Sequence, residues 1–243
     1  MGVGQGTACY YLNQLQTNSG NLMPDTILIT GANRGIGLAL TEHYLKRGDK
    51  VYAVCRHTTD ELGRTGAHII EHIDVSVPEN VKSLQQHMQG IVIDILINNA
   101  GIFKEETLDA MDFDTVIEQL AINAVAPLRV THALLNNLRK GSKIGLITSR
   151  MGSMGDNGSG GYYGYRMSKA ALNAAGMSLT RDLKSRGISV AILHPGYVST
   201  RMVGFSGEIS PEQSARGLVA RIDALTPATS GTFWHTNGQV LPW

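Results

Sequence analysis

The chain has 243 residues, with 21 lysines and arginines against 20 aspartates and glutamates. That length suits one large α/β domain with a substantial buried core, and near-neutral charge without a basic cluster argues against nucleic acid or an anionic membrane as a partner. Two cysteines, Cys9 and Cys55, are too few for a disulfide framework and fit a reducing cytoplasm, while the most apolar run, Ile91–Ile97, is interrupted by Asp94 and too short to cross a bilayer.

Residues 1–24 carry no Lys or Arg and no sustained apolar pattern. They are expected to form a poorly ordered extension, with one domain over residues 25–243. Thr26–Thr30 (TILIT) reads as a first strand and runs straight into a glycine turn, GANRGIG. Leu38, Leu40, Tyr44 and Leu45 give Leu38–Arg47 a helical period, which Gly48 ends. Val51–Cys55 is a second strand, and His68–Ile73 a weaker third in which His and Glu alternate with apolar residues. Val81–Met88 reads as a helix, and Ile91–Ile97 as a buried strand closed by NNAG. A long helical stretch is predicted over Leu108–Leu138, interrupted near Ala124–Pro127. Strand Lys143–Thr148, helix Ser168–Ser185, strand Ile188–Leu193, helix Pro211–Leu225 and a short strand Thr232–Thr236 complete the chain. Strands alternating with helices imply right-handed crossovers and a single Rossmann-type, doubly wound, mostly parallel sheet flanked by helices.

In such a sheet a ligand sits beyond the carboxyl ends of the strands, where the strand order reverses. The chemically suggestive segments fall at those ends. Gly31, Gly35 and Gly37, with Asn33, Arg34 and Ile36 between them, are spaced GxxxGxG. Glycines there let the backbone approach a pyrophosphate, and the following helix presents free N–H groups. An acidic residue about 20 positions further on would favour NAD; this chain has Arg56 at that distance, suited to a 2′-phosphate, with Arg34 able to flank it. Asp60 and Glu61 come too late for the acidic role unless the second strand runs longer, so NADP(H) is expected. Tyr165 and Lys169, four residues apart, would share one helix face. An ammonium beside a phenol lowers its pKa from about 10, and Ser149, at the end of a strand, could hydrogen-bond the oxygen being protonated. The spacing alone is common, and a solvated helix face is the ordinary alternative.

Thr30–Gly37 (TGANRGIG), Asn98–Gly101 (NNAG), Asn123, Ser149, the YRMSK run Tyr165–Lys169 and Pro195–Gly196 stand in the order seen in the short-chain dehydrogenase/reductase family, classical type, which the chain resembles over about residues 25–240. The segment ITSRMGSMGDNGSGGYYGYRMSKAALN and the ending GQVLPW are more similar to the carbonyl-reductase-like subgroup of the C-factor and sniffer type. The resemblance implies an NADPH-dependent carbonyl reductase or alcohol dehydrogenase acting on a small-molecule carbonyl or alcohol. Tyr165 would be the general acid or base, and Lys169 would lower its pKa and bind the nicotinamide ribose. Ser149 would polarise the carbonyl oxygen, and Asn123 would hold a water relaying protons from Lys169. Pro195, Gly196, the Val198 backbone and Thr200 would meet the carboxamide side. Asp74 and Val75 would meet the adenine, and Asn99, Ala100 and Gly101 the adenosine side; Asn98 is assigned a structural role. The resemblance also implies a dimer or tetramer. A cofactor-binding signalling or scaffold protein with little turnover is the alternative function.

Two departures stand out. Ser149 and Tyr165 are further apart than is usual in the family, with glycine-rich GDNGSGG between them; Ser153 competes by count, and Ser149 is preferred because it directly follows the strand. The segment between Thr200 and Pro211 is short, which predicts an open pocket for bulky carbonyl substrates. His68 and His72 alternate on one strand, but the sequence places no third ligand beside them, so no metal site is assigned.

Overall fold

A computed structural model describes residues 24–243; the expectation for the N-terminal extension, Pro24 aside, lies outside these residues. The strands are β1 (Thr26–Thr30), β2 (Lys50–Val54), β3 (His68–Ile70), β4 (Ile93–Asn98), β5 (Leu138–Ile147), β6 (Ser189–His194) and β7 (Phe233–His235). The helices are α1 (Gly35–Arg47), α2 (Asp60–Gly63), α3 (Pro78–His87), α4 (Phe113–Leu120), α5 (Ala126–Ala133), α6 (Tyr163–Leu183) and α7 (Pro211–Asp223). The strands form one sheet in the order β3-β2-β1-β4-β5-β6-β7, with every pairing parallel. The order reverses between β1 and β4, which fixes the cleft at their carboxyl ends.

Side chains alternate across the sheet as the two-residue strand period requires. Leu28 and Leu96 face a core completed by α3, α5 and α6, whereas Ile27, Ile29, Ile95 and Ile97 face one built with α1 and α7. All six are essentially inaccessible to water, each worth about 1.5–3 kcal/mol of burial. Both faces being covered explains why the central strands read as continuous apolar runs.

The structure moves several predicted boundaries. The third strand stops at Ile70 because His72 takes a left-handed backbone, φ 64°, which no extended strand continues. The long helix begins at Phe113, where Asp112 accepts the Asp114 and Thr115 N–H groups, and ends at Ala133. Its interruption is a π-helical turn, Ala121–Val125, beginning before the predicted break. The fifth strand starts at Leu138 through a register shift against β4. Helix α6 begins at Tyr163, so Tyr165 lies in its first turn rather than ahead of it.

Candidate active site

The glycine turn joins β1 to α1. Gly31 has φ +65°, and a Cβ there would lie 2.9 Å from the Ala100 Cα. A Cβ on Gly37 would overlap the Gly31 carbonyl oxygen. These glycines are therefore required by the packing of the turn against the NNAG segment. Asn99 is the strut: its side-chain amide donates to the Thr30 and Gly31 carbonyls at 3.0 and 3.1 Å, and the Thr30 hydroxyl accepts from the Asn99 and Ala100 N–H groups. Asn33 ties the turn to the segment after β2, its amide donating to the His57 carbonyl at 2.8 Å while its own carbonyl accepts from Thr59. Helix α1 opens at Arg34 with no side-chain cap and no acidic residue in its first turn. The uncapped N–H groups and the positive dipole end suit an anion, and the glycine cradle leaves the backbone bare beside them.

At the other end of the sheet's carboxyl edge, Arg56 follows β2 and lies at the surface, 3.6 Å from the Asp74 carboxylate after β3. Asp74 accepts from the Ser76 N–H and hydroxyl. Burial opposes its ionisation, but the Ser76 hydrogen bonds and Arg56 together hold its pKa below the usual carboxylate value. Val75 beside it is buried. At the opposite wall, Thr200 approaches Gly35, whose Cβ would lie 3.3 Å from the Thr200 Cγ2. Pro195 is fixed by the Ser214 hydroxyl donating to its carbonyl at 2.7 Å, Gly196 turns with φ +87°, and Val198 is buried and bridged to Ile209. The residues expected to meet a dinucleotide thus lie along the carboxyl ends of β1, β2, β3, β4 and β6.

Ser149, Tyr165 and Lys169 converge at the inner end of the cleft. Ser149 follows β5 and caps the single turn Arg150–Gly152, its hydroxyl accepting from the Met151 N–H at 3.1 Å. The Lys169 Nζ lies 5.6 Å from the Tyr165 ring centroid and donates to the Ile147 carbonyl at 3.0 Å. Tyr165 keeps some solvent exposure at the cleft, but burial still pushes its phenol up to about 12, with the Ser149 hydroxyl acting the other way as a hydrogen-bonding partner. Burial also pulls the Lys169 ammonium down to about 8. Burial thus outweighs the expected effect of Lys169, and the tyrosine is held as the neutral acid. Ser153 is differently engaged: its hydroxyl donates to the backbone carbonyl of Trp243 at 3.1 Å and accepts from the Asp156 N–H.

Asn123 sits in the π-helical turn, fully buried. Its amide donates to the Ile102 carbonyl at 2.9 Å and to the Ser168 hydroxyl at 3.0 Å, and its Oδ1 accepts the Ile102 N–H at 2.8 Å. Both amide hydrogens are used, leaving one Oδ1 lone pair for a water. Gly101 packs against the same amide, with its Cβ position 3.0 Å from the Asn123 Oδ1 and 3.7 Å from the Lys169 Nζ. Asn98 does not face the cleft; it donates to Thr131 inside the core.

Phe103 and Glu106 at the site carried no sequence signal. Phe103 meets the Tyr165 ring edge-on at 4.9 Å and stacks on Tyr162 at 5.6 Å. Buried Glu106 accepts from the Gln119 amide, the Thr115 hydroxyl and the Gly164 N–H. His194, beside Pro195, has a buried Nδ1 without a partner among the described residues, and desolvation lowers its pKa to about 3. Tyr197, Met202 and Phe205, in the segment that carries Thr200, are exposed apolar groups. His68 stacks on Tyr52 and does not join His72.

A family model described as short chain dehydrogenase matches residues 25–209. A 1-hydroxy-2-glutathionyl-2-methyl-3-butene dehydrogenase from Rhodococcus sp. (strain AD45) is 40% identical over 224 residues, covering 90% of this chain and 99% of that protein. Among solved structures, the carbonyl reductase Sniffer of D. melanogaster is 30% identical, with a TM-score of 0.84 over 91% of this chain and all of that one. An NADPH-bound carbonyl reductase from chicken fatty liver is 28% identical, with a TM-score of 0.82 over the same 91% of this chain and 100% of its own. Among the described residues no helix is long and apolar enough to cross a membrane.

Proposed function

The chain belongs to the short-chain dehydrogenase family, and on that premise we propose that it is an NADPH-dependent oxidoreductase of the carbonyl reductase or alcohol dehydrogenase type. The observation that carries this reading is the convergence of Ser149, Tyr165 and Lys169 at the inner end of a cleft whose other end holds Arg56. Bound NADPH supplies a hydride from its nicotinamide. Gly31, Gly35 and Gly37 with the α1 N-terminus hold its pyrophosphate, Arg56 and Arg34 its 2′-phosphate, and Asp74, Val75 and the Asn99–Gly101 segment its adenosine side. Pro195, Gly196, Val198 and Thr200 orient the nicotinamide. The NADPH-bound relative and the absence of an acid directly after β2 both support NADP(H) over NAD(H).

The side chains then divide the work on a carbonyl substrate. Ser149 donates a hydrogen bond to the substrate oxygen and Tyr165 passes it the phenolic proton as negative charge develops. The raised Tyr165 pKa keeps that proton in place at neutral pH before substrate arrives. Lys169, cationic below about pH 8, stabilises the tyrosinate left behind and binds the nicotinamide ribose. Asn123 fixes the Ile102 backbone and offers its remaining lone pair to a water through which the tyrosine is reprotonated. The exposed apolar groups Tyr197, Met202 and Phe205 flanking Thr200 suit a bulky carbonyl or alcohol, and the relative from Rhodococcus is named for a glutathione-bearing substrate.

The test is oxidation of NADPH, and separately of NADH, with a panel of aldehydes, ketones and quinones. Turnover with NADPH that falls about 10²–10⁴-fold in Tyr165→Phe, with NADPH binding retained, is the expected result. Binding without turnover on any of these substrates overturns the enzymatic reading.

A further inference from the structure

The ends of β2 and β3 bring together three groups that no part of the proposed chemistry uses. His57 follows Arg56, and Glu71 and His72 follow β3. One ligating atom from each lies within 4.8 Å of the other two. We propose that His57, Glu71 and His72 form a binding site for a divalent transition-metal ion on the adenosine rim of the cleft.

Backbone geometry brings the three together. In an extended strand Glu71 and His72 would point to opposite faces. The left-handed conformation of His72, φ 64°, breaks that alternation and turns its ring to the side of Glu71. This conformation is uncommon for a residue with a Cβ, and histidine is among the few that tolerate it. The main chain holds it in place, because the His72 N–H donates to the Arg56 carbonyl at 3.2 Å. The Glu71 carboxylate is oriented by the Thr58 N–H at 2.6 Å. The Asn33 amide fixes the His57 carbonyl. Each ligand thus stands on an anchored backbone, and the two imidazole rings already meet edge to face at 6.4 Å.

The chemistry of the set selects the ion. Two imidazoles and one carboxylate suit Zn²⁺, Co²⁺ or Ni²⁺ and discriminate against Mg²⁺ and Ca²⁺, which prefer all-oxygen sites. Metal–ligand bonds of about 2.0–2.2 Å require the ligating atoms to close together by less than about 1 Å each. The side chains lie at the surface, where such rotations are cheap, and water completes the coordination. A bound ion would tie the loop after β2 to the loop after β3, which carry Arg56 and Asp74.

The experiment uses the full chain without cofactor. Co²⁺ is titrated while its visible d–d absorption is recorded, and Zn²⁺ binding is followed by calorimetry. One ion per chain is expected, and His57→Gln, Glu71→Gln and His72→Asn should each weaken it by at least about tenfold. Asparagine at 72 keeps the left-handed backbone, so a loss there reports the ligand and not the fold. His87→Gln, on the exposed face of α3, should leave binding unchanged. Absence of both the absorption and the heat overturns the proposal, as does binding that the three substitutions leave intact, which would place the ion elsewhere.

Discussion

The Glu106 carboxylate accepts the Gly164 N–H at 3.0 Å, one residue before Tyr165. Helix α6 has no side-chain cap of its own, because Tyr162 at its N-terminal boundary adopts φ 54°. Glu106 supplies that cap from a distant segment and adds negative charge at the positive end of the helix. Its other oxygen accepts from the Gln119 amide at 2.6 Å, which links α4 to the start of α6. Glu106 is therefore a positioning residue for Tyr165. Glu106→Ala strands two buried donors, each costing about 1–3 kcal/mol, and should lower stability in urea unfolding. Glu106→Gln keeps one acceptor and should lose less. If Glu106 sets the tyrosine, Glu106→Gln should reduce kcat more than it raises KM; equal effects on both would assign it to stability alone.

Ser149 and Ser153 lie in one short segment but face different tasks. The Ser149 hydroxyl turns towards Tyr165, whereas that of Ser153 binds the Trp243 carbonyl. Ser149→Ala is expected to cut kcat about 10²–10³-fold, the loss typical of one oxyanion donor. Ser153→Ala removes hydrogen bonds worth about 1 kcal/mol each and should leave kcat within a few fold of wild type, with a lower Tm. Steady-state kinetics on the pair decides between them; a collapse of kcat in Ser153→Ala alone would reverse the assignment.

The parts of the fold legible in the sequence were those with strong periodicity. TILIT, VYAVC and the ILI of Ile95–Ile97 are buried on both faces, and Gly31 after the first and Asn98 after the last mark where the backbone leaves the sheet. The cleft followed from that topology. Less legible was the start of α6, because its cap comes from Glu106 in an irregular stretch with no period. After buried Leu138, the next residues of β5, Arg139, Lys140 and Gly141, are exposed, so burial gave them no strand signature. His57 and Glu71 met His72 only through a positive φ, which a strand pattern cannot express.

Arg56 is exposed and its ion pair with Asp74 spans 3.6 Å at the surface, so it contributes little to folding, about 0–1 kcal/mol. Its value lies with a 2′-phosphate. Arg56→Ala should raise KM for NADPH about 10–100-fold, matching the loss of a charged hydrogen bond of about 1.5–3 kcal/mol, while KM for NADH changes little. Parallel kinetics with the two cofactors, together with an unchanged Tm, checks this. Equal weakening of both cofactors would move the role of Arg56 away from the 2′-phosphate.

Lys169 carries its ammonium inside the protein, where the Ile147 carbonyl at 3.0 Å is the acceptor it meets. Its pKa falls from 10.5 to about 8 through desolvation, a shift that corresponds to roughly 3 kcal/mol. The sign follows from proton uptake. Below about pH 8 both folded and unfolded chains hold the proton, and the folded state bears the full cost of the buried charge. Between about pH 8 and 10.5 the folded chain has released it and the unfolded chain has not, so folding stability rises with pH across that window. Tyr165 works the other way only above about pH 10, where the unfolded phenol ionises while the folded one, at about 12, does not. Lys169→Met removes the buried charge while keeping an unbranched apolar stem. In the cofactor-free protein it should therefore raise Tm at about pH 7 and keep less than about half of that advantage at about pH 9.5, below the range where Tyr165 intervenes. Its turnover should fall sharply at both values, because the tyrosinate loses its neighbouring cation. Thermal unfolding of wild type and variant at the two pH values measures the difference directly, and a variant less stable than wild type at about pH 7 would show that the ammonium is better solvated than its burial implies.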